Sequence, residues 1–123
     1  MRDITPERTF PLPEPIIDPA TFAALGDMAG PEFVRELVDT FLEEAPRMLA
    51  ELHEAYAQYD VERFRRTAHS LKSNSNTFGA TQLGIAARDL ELGGLDSASP
   101  AALAALDADY ARAVEALKAL CDG

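Results

Sequence analysis

Between residues 61 and 78, apolar and small side chains recur in alternating steps of three and four: Val61, Phe64, Ala68, Leu71, Ser75 and Phe78. That spacing is the period of an α-helix with one buried stripe. Asp60 stands in front of it as an N-cap, where a carboxylate can accept from an otherwise unpaired backbone N–H. Gly79 follows and can adopt the left-handed conformation that stops a helix. A single striped helix gains little stability alone in water, so other elements must cover it.

The rest of the chain offers helices for that purpose. Asp18-Pro19 opens a short one, expected to run to Leu25 and stop at Gly26. A longer one starts near Pro31, with Phe33, Val34, Leu37, Phe41, Met48, Leu52, Ala55 and Tyr59 at helical spacing; Pro46 inside it removes one backbone bond and can kink it. A fourth helix covers about Ala80 to Leu92, using Leu83, Ala86, Ala87 and Leu90, and ends at Gly93-Gly94. Ser99-Pro100 opens a fifth, with Leu103, Leu106, Tyr110, Ala113, Leu117 and Leu120 repeating. No strand alternation or internal repeat is visible. The pattern predicts an all-α fold, an antiparallel four-helix bundle with an additional short N-terminal helix. Residues 1–17, with Pro6, Pro11, Pro13 and Pro15, read as a flexible proline-rich N-terminal tail, and 18–121 as the bundle.

The chain's 123 residues, 47% of them hydrophobic, suffice for one domain with its own core. No apolar run approaches the roughly 20 residues needed to span a bilayer, and the polar N-terminus lacks the apolar region of a secretory signal. Cys121 is the only cysteine and cannot form an internal disulfide. A cytoplasmic, monomeric protein without a membrane segment is the expectation. The formal net charge of -10 argues against nucleic acid as a partner. Yet from Arg63 to Arg88 there is no Asp or Glu, while Arg63, Arg65, Arg66, Lys72 and Arg88 all fall in that window.

His69 lies in it too. On a wheel of about 100° per residue, His69 sits about 130° from the centre of the core stripe, facing water. Arg65 and Ser73 are one turn to either side, Lys72 and Asn76 follow at i+3 and i+7, and Arg66 completes the outer face. Nearby cations disfavour the imidazolium and can hold phosphate oxygens by charge-assisted hydrogen bonds. Ser73 is short enough to let a partner approach the ring. The competing reading is an ordinary solvated surface histidine.

The run from Ala68 through His69, Ser70, Leu71, Lys72, Ser73, Asn74, Ser75, Asn76, Thr77 and Phe78 to Gly79-Ala80 resembles the signature of histidine-containing phosphotransfer (HPt) domains. That signature is His, a hydrophobic residue at +2, Lys at +3, Gly or Ser at +4, and Gly-Ala at +10 and +11. The likeness extends more loosely from Asp18 to Leu120. It implies a four-helix bundle in which His69 is the phosphorylated nucleophile, relaying a phosphoryl group between receiver-domain aspartates. By the same resemblance Lys72 stands beside the phosphoryl oxygens, Ser73 leaves the partner room, and Gly79 and Ala80 shape the turn into the next helix. Arg65, Arg66 and Asn76 join Ser73 as candidate docking residues from the wheel alone.

Receiver domains, and a hybrid sensor kinase, are the partners so implied. A divalent ion, Mg2+ by expectation, would sit in the receiver's acidic pocket; no cofactor or metal is expected in this chain. No glycine-rich phosphate loop is present, so neither ATP binding nor autokinase activity is expected. Met1 and a whole bundle suggest a free-standing shuttle. His53, about 110° off its own stripe, reads as surface, and with His69 makes no metal-ligand pattern. A helical adaptor that docks a receiver or kinase without carrying phosphate is the rival class.

Overall fold

A computed structural model describes residues 16–122. Among these residues the chain is helical throughout: α1 (Pro19–Ala29), α2 (Pro31–Gln58), α3 (Val61–Thr77), α4 (Thr81–Gly93), a 3-10 turn (Leu95–Ser97) and α5 (Pro100–Asp122). The proline-rich segment 1–15 lies outside the described residues. Ile16 and Ile17 already pack on the core, so the chain joins the fold just before Asp18.

The caps explain most of the boundaries. Asp60 Oδ1 accepts from the Arg63 N–H at 3.2 Å and so satisfies a first-turn donor of α3. Ser99 Oγ does the same for the Ala102 N–H at 3.0 Å at the start of α5. Asp18 instead turns its carboxylate to the Thr21 hydroxyl at 2.6 Å, and Pro19 opens α1. Gly26 does not end that helix, as the sequence suggested. Glycine weakens a helix interior by about 1 kcal/mol without forbidding it. The break comes four residues later, where Gly30 takes φ 87° and Pro31 cannot continue the preceding turn.

The buried stripe of α2 is Val34, Val38, Phe41, Ala45, Leu49, Leu52 and Ala55. Phe33 and Tyr59, expected on it, are exposed. Phe33 lies beside the stripe rather than on it. Tyr59 has left the helix: it takes the left-handed conformation at φ 55° and ends α2. The helix continues through Pro46, whose ring lies on the exposed side. On α3 the stripe is Phe64, Thr67, Ala68, Leu71 and Ser75, with Phe78 buried just after; Val61, in the first turn, is exposed. Buried Ser75 satisfies its hydroxyl on the Leu71 carbonyl at 2.7 Å. Leu120, expected in the α5 repeat, is also exposed, whereas Leu103, Leu106, Ala113 and Leu117 are buried.

These stripes meet in one core, in which Phe41 packs against Phe78 and Tyr110 with ring centroids 5.3 and 6.0 Å apart. Leu95 of the 3-10 turn, which the sequence left unassigned, adds a buried side chain to it. Helix α3 packs against both α2 and α4, and α5 covers α2 and α4 from the other side.

The turn between α3 and α4 fixes how α4 lies against α3. Gly79 sits there at φ 80°, and its carbonyl accepts from the Asp18 N–H at 2.8 Å. A Cβ at Gly79 would stand 3.0 Å from Thr21 Cβ and 3.1 Å from the Asp18 carbonyl oxygen. Gly79→Ala should therefore destabilise the protein by about 1–3 kcal/mol, from left-handed strain and the collision with backbone. Urea unfolding measures this; an unchanged midpoint would contradict it.

Candidate functional site

His69 projects from the outer face of α3, opposite the packed stripe, and its side chain is 54% exposed. Its Nδ1 lies 2.7 Å from Glu91 Oε2 on α4. The other carboxylate oxygen, Oε1, lies 3.0 Å from Lys72 Nζ. One glutamate thus holds both the histidine and the lysine one turn further along α3. Glu91 is 13% exposed, and burial alone would favour its neutral form. The Lys72 ammonium first, and the His69 ring second, outweigh that cost and hold the Glu91 carboxyl below the usual carboxylate range.

An ionised carboxylate only accepts hydrogen bonds, so the ring nitrogen facing it must donate. In a neutral imidazole this assigns the proton to Nδ1 and leaves the lone pair on Nε2. Nε2, on the far edge of the ring, is then directed away from α4. The site therefore presents a half-exposed imidazole whose tautomer, when neutral, is set by a fixed partner.

Glu91 corrects the expectation of a purely cationic environment around His69. The acid-free window from Arg63 to Arg88 is real in sequence, but the turn at Gly79 folds α4 back along α3. Gly84 and Glu91, two turns apart, both face α3: Gly84 lies against Asn76, and Glu91 against His69 and Lys72. A wheel for α4 puts Glu91 beside its core stripe, a signal that could have marked it as facing a neighbouring helix.

The cations are also less available than their spacing suggests. Arg65 is held by Glu62, at 2.7 and 3.1 Å from its Oε1. Arg63 reaches Glu51 at 3.1 Å and Glu54 at 2.5 Å. Arg88 lies 3.6 Å from Asp89, and Lys72 is on Glu91. Among the described residues no carboxylate pairs with Arg66. Ser73 is exposed one turn beyond His69, as its spacing required. Asn76 lies in the α3–α4 seam: its amide oxygen occupies the space that a Cβ on Gly84 would need. That placement ties Asn76 to the packing of the two helices.

On the other side of His69, an open groove of ≈ 390 Å³ runs between α2 and α3, with Met48, Arg66, Thr67 and Ser70 beside the histidine. A larger cleft, between α1, the start of α2 and the end of α5, contains no α3 residue. His53 Nε2 lies 2.9 Å from Asp107, an exposed contact between α2 and α5. Among the described residues no cluster of three or more His, Cys, Asp or Glu could hold a metal, and no helix is long and apolar enough to cross a membrane.

Compared with known proteins, residues 36–120 match the family model of the Hpt domain. The match runs from α2 through α5 and includes His69, Lys72 and Glu91. No curated protein and no solved structure gives a match.

Proposed function

The chain belongs to the Hpt domain family, which serves phosphotransfer in two-component signalling, and from that membership we propose that His69 carries the phosphoryl group between receiver-domain aspartates. The observation that carries this reading is the contact of His69 Nδ1 with an ionised Glu91 at 2.7 Å, which leaves Nε2 as the nucleophile.

The Nε2 lone pair attacks the phosphorus of a receiver's aspartyl phosphate in line. The N–P bond forms as the P–O bond to the aspartyl carboxylate breaks, and the carboxylate leaves with the electron pair. The proton stays on Nδ1, and the ring becomes an N-phosphoryl imidazolium. Glu91, already facing that proton, offsets the new positive charge without moving. Reversal of the same steps, on a second receiver, returns the phosphoryl group to an aspartate. Lys72 stands one turn from the ring and can exchange Glu91 for a phosphoryl oxygen. The divalent ion of this chemistry belongs to the receiver, and the nucleotide to an upstream kinase.

The packing of α2 with α3, α3 with α4, and α5 with both α2 and α4 supports reading the four longer helices as an antiparallel bundle. A monomer in the cytoplasm, where receivers and kinase modules work, fits this role.

Mixing the protein with a phosphorylated receiver should discharge the receiver, and His69→Ala should leave it charged. Receiver binding without discharge would overturn the relay in favour of an adaptor. An adaptor needs no oriented imidazole.

A further inference from the structure

Resting on the relay reading, we infer that Arg66, and not Lys72 alone, receives the phosphoryl group as it arrives, in the groove between α2 and α3. Three observations combine. First, Glu91 holds Nδ1 from the α4 side, so Nε2 is turned away from α4, where Lys72 is tied down at 3.0 Å from the same glutamate. Second, His69 and Arg66 line one groove together with Arg65, which Glu62 already holds, and its wall includes half-buried Met48 and buried Thr67. Arg66 stands three residues before His69, on the turn toward which the side chains of a helix lean. Third, Arg66 has no carboxylate partner among the described residues, whereas Arg63, Arg65, Lys72 and Arg88 each have one.

A dianionic phosphoryl group recruits an unpaired guanidinium more readily than one already neutralised by a carboxylate, because no ion pair must break first. Glu51, the acid that also lines this groove, is engaged by Arg63 Nε at 3.1 Å and by the Thr67 hydroxyl at 3.2 Å. Its charge is thus already partly offset. The receiver accordingly approaches over α2 and α3, presenting its aspartyl phosphate to Nε2 with Arg66 on the phosphoryl oxygens. Lys72 remains with Glu91 until the N–P bond has formed.

The test uses the full chain phosphorylated on His69, with phosphoramidate or a phosphorylated receiver as donor, and follows the phosphorus resonance as a function of pH. Contact with Arg66 favours the dianion, so Arg66→Ala should raise the phosphoryl titration midpoint by about half a pH unit. It should also slow uptake from the receiver by roughly tenfold. Arg66→Lys should recover part of both effects, and Arg112→Ala, which removes an exposed cation on α5 outside this groove, should change neither. A midpoint unmoved in Arg66→Ala but raised in Lys72→Ala overturns this assignment and leaves the relay standing. Failure of the unaltered chain to acquire a phosphoryl group from either donor overturns the relay itself and this assignment with it.

Discussion

Glu91→Ala should slow phosphoryl uptake by His69 roughly 10–100-fold, the scale known for losing the carboxylate that orients a metal-bound histidine, since Glu91 fixes this ring in the same way. The truncation acts in three ways. It removes the acceptor that keeps the proton on Nδ1, so the ring samples the tautomer with its lone pair on the wrong nitrogen. It removes the charge that offsets the N-phosphoryl imidazolium. It also frees Lys72 from its counter-ion. Glu91→Gln separates these contributions: its amide oxygen can still accept from Nδ1, but it carries no charge. The glutamine variant should retain more activity than the alanine variant. Equal rates in all three proteins would remove Glu91 from the mechanism.

The acid limb follows from the same glutamate. Its carboxyl is held below the usual carboxylate range by Lys72 and then His69. Its stabilising contribution is therefore present above the ordinary carboxylate pKa and lost as pH falls through the lowered value. The stability difference between the unaltered protein and Glu91→Gln should accordingly be present at neutral pH and close only in strongly acidic solution.

Phe64→Ala should cost about 3–5 kcal/mol, a large share of the roughly 5–15 kcal/mol that holds a domain of this kind folded. Phe64 is the largest of the fully buried side chains and lies on the stripe that holds α3 in the core, one turn before Ala68 and the site. Its removal leaves a cavity that fixed neighbours on several helices cannot close, so the loss exceeds the simple transfer free energy. Urea denaturation of both proteins gives the difference. A change below about 1 kcal/mol would mean that α3 is not anchored as described.

Much of this architecture is written locally. The stripe from Phe64 to Phe78, the cap at Asp60 and the left-handed glycine at position 79 each act within a few residues, so spacing alone finds them. Structure departs from local pattern where two local signals compete or where a third body decides. Gly26 and Gly30 are both plausible stops, and only the second is followed by a proline that prevents continuation. Val61, Phe33 and Leu120 fit helical spacing but fall at or beside the edges of their stripes, where nothing packs over them. The exposure of His69 was legible because it depends on one helix only. Glu91 was not, because its place beside His69 depends on how the Gly79 turn sets α4 against α3. For the same reason the cations looked free in sequence: Arg63 finds its acids on α2, and Lys72 finds its acid on α4.

The central claim is that phosphate resides on His69, and chemical mapping of a transferred label tests it most directly. The unaltered chain is mixed with a receiver bearing a radiolabelled aspartyl phosphate, separated without heating, and treated with acid or alkali. The account predicts that label moves onto this chain, is lost in acid, survives alkali, and is absent from His69→Gln. Label that stays on the receiver, survives acid, or still reaches the His69→Gln protein would contradict it.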